Sequence, residues 1–386
     1  MANKWAEQLK KLDGAVKERV DRFSKVIRTP SPSVNFIYGK THGLPLGYST
    51  LLWGPPGGGK SLLTNATIGQ LHRDDPEAIV IKFDTEFRDD GQMSVDTLKS
   101  LGVDLDRYIV FEVNRAGEVF DTIAGEINAM CQKGAPVKMV IVDSINGIQG
   151  RREAELETVE KHTIGDHAMT MQVGLKKILP VQRRNNFHLV LCCQQRAEMD
   201  MLEQKRGNKT KAAASFGVLH HCEYFVHVER NKNKAGRTDE LGNAFENEAR
   251  KDVSDTADIT GHKVAVWMQK SSVGPAGRSG EFTIDYANGV VNQHEEVFRL
   301  GTRWGIIERI NNTTYSVDGK KFTGKPALLN GLRDSVDLQK FVVKRLLEEE
   351  KNSKFQVGSG PSDNILDAPT DTDDDVEEML ENSGDE

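Results

Sequence analysis

The chain reads Gly54-Pro55-Pro56-Gly57-Gly58-Gly59-Lys60-Ser61 directly after an apolar run at 49–53. A helix-forming run that begins with Leu62 follows, and this strand–loop–helix context is typical of a phosphate-binding P-loop. Glycines let backbone N–H groups turn inward around a β-phosphate, and the helix N-terminus adds partial positive charge. We predict that residues 54–62 bind a nucleoside triphosphate, with Lys60 at its β- and γ-phosphates and Ser61 as a ligand of Mg²⁺.

Short apolar runs alternate with helix-like stretches on either side of this motif, between residues 34 and 293. The predicted strands are 49–53, 78–83, 108–113, 138–142, 188–193, 224–228, 263–268 and 281–284. The predicted helices are 61–72, 93–101, 117–132 and 166–184. The first five strands are nearly continuous apolar runs, as in strands buried on both faces of a parallel sheet. The pattern predicts an α/β core whose mostly parallel central sheet ends in antiparallel strands.

The N-terminal segment 1–33 precedes this core. Apolar side chains recur at spacings of three and four over residues 4–28, which predicts an amphipathic helix. The Pro- and Ser-containing residues 29–33 are predicted to form a linker. Such a helix either packs on its own core or docks on a neighbouring subunit.

The C-terminal part differs from the core. Residues 294–350 are predicted to form a small α+β appendage, with helices at 295–300 and 335–350 and a hairpin at 315–322 that turns at an Asp-Gly pair. Residues 351–386 are rich in Ser, Gly, Pro and Asp and are predicted to be disordered.

Carboxylates follow two of the predicted strands. Asp143 follows the strand 138–142, at the edge where open α/β sheets bind ligands, and there it can hold Mg²⁺ through water. Asp84 and Glu86 follow the strand 78–83, and either could orient or deprotonate an attacking water. Their spacing does not choose between them, and a loop carboxylate that caps the next helix is the alternative.

Two further side chains at strand ends are weaker candidates. Gln195 follows the strand 188–193, where a neutral amide could distinguish a triphosphate from a diphosphate by hydrogen bonding. Its spacing alone favours an ordinary polar strand end. Lys270 follows the strand 263–268 and is, by itself, an ordinary surface lysine.

Two segments between strands, 150–166 and 199–216, concentrate basic residues. The candidates for binding a nucleic-acid backbone are Arg151, Arg152, Lys161, Lys205, Arg206, Lys209 and Lys211. Aromatic residues are nearly absent from both segments, with Phe216 the exception, so the pattern favours contacts with phosphates over contacts with bases. The alternative is two solvated loops.

Charge and cysteine content limit the classes of protein. The 386 residues carry a formal net charge of −7, but residues 363–386 alone contain eleven acidic residues and no Lys or Arg, which leaves +4 on the rest. This distribution fits a polyanionic ligand and an acidic tail that competes for it, or a merely solubilising tail. Four cysteines without a C-x-x-C pair, no signal peptide and no apolar run of ~18 residues predict an intracellular protein without a membrane span.

Several of these stretches, in this order, closely resemble RecA recombinases. They are Gly43-Leu44-Pro45-Leu46-Gly47 before the P-loop, Phe83-Asp84-Thr85-Glu86, residues 101–106, Val140-Ile141-Val142-Asp143-Ser144 and residues 305–322. The resemblance covers about residues 34–345 and implies a RecA-like P-loop core. The Asp84-x-Glu86-Phe87 form, the Lys270-Ser271 element and the acidic tail are similar to those of phage-encoded UvsX-type recombinases.

This resemblance implies a DNA-dependent ATPase that uses ATP and Mg²⁺. Such proteins form right-handed helical filaments on single-stranded DNA, with nucleotide bound between subunits, and exchange strands with homologous duplex DNA in recombination, repair and recombination-dependent replication. A single-strand-binding protein and a mediator would be partners. The protein would be cytoplasmic, in the bacterial host if a phage encodes it.

The resemblance also implies roles for individual residues. Glu86 corresponds to the water-activating glutamate, Gln195 to the glutamine that senses the γ-phosphate, and Lys270 to a lysine that reaches the γ-phosphate of the neighbouring subunit. The two basic segments correspond to DNA-binding loops, the N-terminal helix to the subunit-docking helix and the acidic tail to a regulatory tail. The chain departs from the family at Met268, where a second lysine is usual, so Arg278 could assist Lys270. It also lacks the usual glycine-rich run in the second loop, and UvsX-type proteins carry histidine near Gln195.

Two other functions remain alternatives. The first is a hexameric helicase with the same core, although no separate helicase N-terminal domain is evident. The second is a DNA-binding scaffold or mediator that switches with ATP but does not hydrolyse it. This alternative is favoured if Glu86 is not the carboxylate that activates water.

Overall fold

The computed structural model describes residues 25–88, 92–155, 165–205, 209–231, 237–238, 260–274 and 276–352. Within these residues the chain forms a two-stranded, an eleven-stranded and a three-stranded sheet. All four cysteines are free thiols. In the described part of the chain, no helix combines the length and the apolar character needed to cross a membrane.

Sixteen strands are found in the described residues. In chain order they are β1 (Val26–Ile27), β2 (Leu44–Pro45), β3 (Ser49–Gly54), β4 (Ile79–Asp84), β5 (Tyr108–Glu112), β6 (Val137–Asp143), β7 (His188–Ala197), β8 (Thr210–Ala212), β9 (Tyr224–Arg230), β10 (Arg237–Thr238), β11 (Gly261–Ser271), β12 (Ser279–Asp285), β13 (Gly289–Val291), β14 (Glu308–Arg309), β15 (Thr314–Val317) and β16 (Lys320–Thr323).

The large sheet has the strand order β13-β12-β11-β9-β3-β7-β6-β4-β5, with β8 paired to β7 and β10 to β11 beside this path. The pairings from β9 to β5 are parallel, whereas β11, β12 and β13 pair antiparallel. The predicted mostly parallel sheet with an antiparallel end is therefore confirmed. Because the parallel strands point the same way, β3, β4, β6 and β7 end at one edge, where ligands bind in open α/β sheets.

Helices cover both faces of this sheet. The α-helices are Pro32–Ile37, Lys60–Asp74, Gln92–Ser100, Ala116–Thr122, Asn128–Gln132, Arg151–Ala154, Asp166–Asn185, Met201–Lys205, Phe216–His221, Gln293–Arg303, Lys325–Asp334 and Val336–Asn352. A π-helical turn, Ile123–Ile127, joins two of them into one rod. One hydrophobic cluster lies between the sheet and the helix Lys60–Asp74, and another lies between the sheet and the helix Asp166–Asn185. Burial on both faces explains the continuous apolar runs, since each buried aliphatic or aromatic side chain stabilises the fold by roughly 1.5–3 kcal/mol.

The predicted N-terminal helix does not reach residue 28. Val26–Ile27 instead form β1, which pairs antiparallel with β2. Residues 4–24 of that prediction lie outside the described residues. The helical pattern compares residues three and four apart. It could not reveal this pairing, because β2 lies 17 residues further along the chain.

The predicted linker at 29–33 is also wrong. Ser31 is buried and caps the helix Pro32–Ile37, since its Oγ accepts a hydrogen bond from the N–H of Val34 at 3.1 Å. The Oγ of Ser31 also donates to the Oε2 of Glu296 at 2.6 Å, and the N–H of Ser33 donates to the same oxygen at 2.9 Å. Burial raises the pKa of Glu296 to about 7, although both serines act in the opposite direction. Glu296 belongs to the helix Gln293–Arg303, so its carboxyl group holds the segment that contains Ser31 and Ser33 against this helix.

The C-terminal α+β piece contains the predicted hairpin. Strands β15 and β16 pair antiparallel around Asp318 and Gly319, whose φ angles of 50° and 71° fit the tight turn that an Asp-Gly pair favours. β14 adds a third strand, and the helix Lys325–Asp334 was not predicted. These elements share their own hydrophobic cluster, which includes Val297, Ile307, Val317, Leu328, Leu332, Leu338 and Val342. The domain boundary at residues 293 and 294 stays a prediction.

Candidate active site

The predicted P-loop connects β3 to the helix Lys60–Asp74 at the ligand edge of the sheet. A Cβ atom on Gly54 would lie 1.9 Å from the backbone oxygen of Val228, so only glycine fits there. Gly59 precedes the helix with a φ of 96°, in the region that favours glycine. The first helical turn, which includes Ser61 and Leu62, leaves backbone N–H groups without intrahelical partners, and such groups suit an anion.

The side chain of Lys60 lies inside this loop. Its Nζ donates hydrogen bonds to the backbone oxygens of Gly54 and Pro55, both at 2.9 Å. Burial lowers the pKa of Lys60, while the carboxylates of Asp143 and Glu86 act in the opposite direction. A bound phosphate could replace the two carbonyl oxygens as the partner of this ammonium group.

Ser61 and Asp143 meet across the ligand edge. The Oγ of Ser61 donates a hydrogen bond to the Oδ2 of Asp143 at 3.2 Å. Mg²⁺ prefers oxygen ligands and is often held by one or two protein groups together with substrate phosphates and water. A hydroxyl and a carboxylate at this distance, beside a phosphate-binding loop, fit that ion.

Glu86 and Asp84 have different surroundings. The Oε1 of Glu86 accepts hydrogen bonds from the Oγ of Ser144 at 2.6 Å and from the Nε2 of Gln194 at 2.9 Å. Its Oε2 lies 3.0 Å from the Nη1 of Arg88. Asp84 is buried, and its two oxygens accept from the backbone N–H groups of Glu86 and Arg88 at 3.1 and 2.6 Å. Asp84 therefore shapes the loop, and Glu86 is the better candidate for activating water.

The glutamine in contact with Glu86 is Gln194 and not Gln195. Strand β7 continues to Ala197, so neighbouring side chains point to opposite faces of the sheet. The Oε1 of Gln195 is buried and has no hydrogen-bond partner among the described residues. The predicted strand ended at residue 193, before either glutamine, whereas β7 includes both. The role of Gln195 at the γ-phosphate stays a prediction. The signal in favour of Gln194 is its register, because it pairs with Gly54 at the start of the P-loop.

Asn146 is a site residue that no sequence pattern indicated. Its Oδ1 accepts a hydrogen bond from the N–H of Gln194 at 2.8 Å, and its Nδ2 donates to the backbone oxygen of Ala213 at 2.7 Å. The N–H of Ala213 in turn donates to the oxygen of Gln194 at 2.8 Å. Asn146 therefore joins the end of β7 to the end of the second basic segment.

The basic candidates lie in two exposed places. Arg151 and Arg152 belong to the exposed helix Arg151–Ala154. Lys205 and Lys209 are exposed before β8, and Lys211 within β8 pairs with the Oε1 of Glu198 at 2.6 Å. Lys161 and Arg206 lie outside the described residues. Three of the described cations, Lys205, Lys209 and Lys211, therefore lie just before or within β8, the strand that pairs with the end of β7.

The family model of the RecA N-terminal domain matches residues 7–245 of this chain. The chain belongs to the RecA family. Protein RecA of Gluconacetobacter polyoxogenes is 24% identical over 335 residues, which cover 86% of this chain and 84% of that protein. Protein RecA of Francisella philomiragia subsp. philomiragia is 24% identical over 316 residues, which cover 82% and 78% of the two chains. The predicted RecA relationship is confirmed, and the UvsX-type assignment stays a prediction.

Lys270, which the RecA resemblance assigns to a neighbouring nucleotide, has contacts within its own chain. Its Nζ donates to the backbone oxygens of Leu219 and Cys222 at 2.8 and 3.0 Å, at the C-terminus of the helix Phe216–His221. Cations stabilise that end of a helix. β11 is antiparallel to β9, so Lys270 lies at the edge opposite the P-loop of its own chain. Its role in trans stays a prediction.

Arg278, the suggested helper of Lys270, is tied to the C-terminal piece. Its guanidinium forms an ion pair with Glu350, which His42 also contacts. Although burial acts to raise it, these two partners keep the pKa of Glu350 below its usual value. The arginine also stacks 4.8 Å from the ring centre of Phe36. Arg278 therefore has a structural role in this chain.

Proposed function

We propose that this RecA-family chain is an ATP-dependent recombinase that forms helical filaments on single-stranded DNA and exchanges strands with homologous duplex DNA. One observation carries the proposal. A continuous set of hydrogen bonds leads from Glu86 through Gln194 and Asn146 to Ala213, at the end of the segment with exposed cations. A nucleotide in the P-loop and a DNA strand on that segment would therefore act on the same elements.

The residues at the ligand edge have separable tasks in ATP hydrolysis. Lys60 neutralises charge on the β- and γ-phosphates, and Ser61 with Asp143 would hold Mg²⁺, which supplies further positive charge. Glu86 orients a water molecule and accepts its proton. Ser144 and Gln194 position this carboxylate, since both donate to its Oε1.

Gln194 is suited to sense the third phosphate. Its Nε2 donates to Glu86, and a γ-phosphate oxygen would be a competing acceptor for the same N–H group. A movement of the Gln194 side chain would shift its own backbone, which accepts a hydrogen bond from Ala213. It would therefore also shift the second basic segment. ATP would thus favour the DNA-binding arrangement, and loss of the γ-phosphate would release it.

The exposed lysines and arginines suit the phosphate backbone of DNA. Phosphate contacts hold a strand without reading its sequence, and they weaken steeply as salt rises. Homology would then be tested by base pairing between the DNA strands.

The proposal is tested by measuring ATP hydrolysis with and without single-stranded oligonucleotides. We expect oligonucleotides to stimulate hydrolysis, and we expect the stimulation to weaken as salt increases. A protein that hydrolyses ATP at the same rate with and without DNA would contradict the proposal.

The Asn146→Ala substitution should uncouple the two sites. Loss of both hydrogen bonds should reduce the stimulation of ATP hydrolysis by single-stranded DNA about fivefold, with little change in hydrolysis without DNA. Asn185→Ala is the matched control, since the Nδ2 of Asn185 donates to Asn128 away from the ligand edge. Equal stimulation in Asn146→Ala and Asn185→Ala would show that Asn146 does not couple the sites.

Finer parts of the proposal rest on the resemblance. These are the phage UvsX-type identity, a role in recombination-dependent replication, the single-strand-binding and mediator partners, and the contact of Lys270 with a neighbouring nucleotide.

We also keep the prediction that the acidic residues 363–386 compete with DNA for the basic surface. Their deletion should strengthen the binding of single-stranded DNA, most clearly at low salt, because screening weakens the competition. Unchanged affinity at low salt would refute this role.

A further inference from the structure

A buried lysine lies at the carboxylate that we assign to Mg²⁺. Lys82 interrupts the apolar run of β4, which lies between β5 and β6 in the sheet. It is 5% exposed, and its Nζ lies 3.6 Å from the Oδ2 of Asp143. That same oxygen accepts the hydrogen bond of Ser61. A cation and the proposed metal-binding hydroxyl therefore share one carboxylate oxygen.

The register of the sheet brings Lys82 and Asp143 together. Lys82 is the register partner of Ile141 on β6, two residues before Asp143, so its side chain and that carboxylate lie on the same face. A lysine buried in a sheet is costly unless it is paired with an anion. Cys192, on the same face, is not that anion, because burial keeps the pKa of its thiol well above the usual value.

We propose that Lys82 is the internal counter-ion of Asp143 and sets the Mg²⁺ requirement of nucleotide binding. Without nucleotide, the Lys82 ammonium neutralises the Asp143 carboxylate. When Mg²⁺ binds at Ser61 and Asp143, the divalent ion and the ammonium share one carboxylate and repel each other. Lys82 thus raises the Mg²⁺ concentration that the site needs, and it assists binding of Mg²⁺-free nucleotide. This inference rests on the proposed Mg²⁺-ATP site.

The Lys82→Met substitution removes the charge and keeps an unbranched side chain. We would measure binding of a fluorescent ADP derivative by the full chain, in EDTA and across a Mg²⁺ titration. The half-saturating Mg²⁺ concentration should fall at least about tenfold, because a nearby like charge disfavours the divalent ion. Affinity in EDTA should fall several-fold. Lys138→Met is the matched control, since Lys138 pairs with Asp75 at 3.9 Å and is partly exposed.

The two effects of Lys82→Met have opposite signs, which distinguishes the proposal from damage to the fold. An unchanged Mg²⁺ requirement, or equal losses of nucleotide affinity with and without Mg²⁺, would overturn it.

If the Lys82→Met variant does not fold, the melting temperature of Asp143→Asn, measured in EDTA without nucleotide, tests the pairing of Lys82 with Asp143. Lys82 then loses its ion pair with Asp143, and the melting temperature should fall by about 5 °C. An unchanged melting temperature would refute the pairing. If the wild-type protein bound no nucleotide, the proposed function would fail, and these melting experiments would still judge the pair.

Discussion

Replacing Glu86 by Gln is expected to lower the rate of ATP hydrolysis at least about a hundredfold while ATP-dependent DNA binding persists. The substitution keeps the size of the side chain and one oxygen that can accept from Ser144 and Gln194, which both contact Oε1 in this structure. It removes the carboxylate that would take a proton from water. The check is steady-state ATP hydrolysis with single-stranded DNA, measured beside DNA binding with and without ATP.

Glu112→Gln is the matched control for this substitution. Glu112 ends β5 at the same edge and is exposed, and it pairs in register with Asp84. The control should hydrolyse ATP like the wild-type protein. A near-normal rate in Glu86→Gln would remove Glu86 from catalysis and would favour Asp84 as the carboxylate that activates water.

Gln194→Ala is expected to abolish most of the communication between nucleotide and DNA. Without the amide, the hydrogen bond between Glu86 and β7 is lost, and the stimulation of ATP hydrolysis by single-stranded DNA should fall at least about tenfold. Nucleotide binding itself should persist, because Lys60 and the P-loop are untouched. The measurement is the ratio of hydrolysis rates with and without DNA, together with nucleotide affinity.

Gln195→Ala tests the neighbouring position. The Gln195 side chain lies on the other face of β7, so the DNA stimulation should remain close to that of the wild-type protein. The reverse outcome, with loss in Gln195→Ala and none in Gln194→Ala, would restore the original sequence-based assignment.

Local patterns predicted much of the fold. The P-loop motif and the apolar runs before it and after it depend on neighbours in sequence. They placed β3, β4 and β6 correctly, and β7 as far as residue 193. The hairpin at Asp318 and Gly319 followed from the φ angles that its turn needs. The alternation of strands and helices then fixed one ligand edge, and Ser61 and Asp143 do meet there.

Features that depend on distant partners were missed. Ser31 looked like a linker residue because its partner, Glu296, is 265 residues away. The strand 188–193 was predicted too short, because the continuation of β7 to Ala197 depends on pairing with β8, which the sequence did not indicate. Asn146 and Lys82 carry no motif, and only the assembled sheet shows that both lie beside the site.

The proposed function requires that ATP held by the P-loop drives polymerisation of this chain on single-stranded DNA. Its most direct test is negative-stain electron microscopy of the full chain with a single-stranded oligonucleotide, Mg²⁺ and a non-hydrolysable ATP analogue. We expect helical filaments that require both DNA and nucleotide. Closed hexameric rings, or monomers that ignore DNA when saturated with nucleotide, would contradict it.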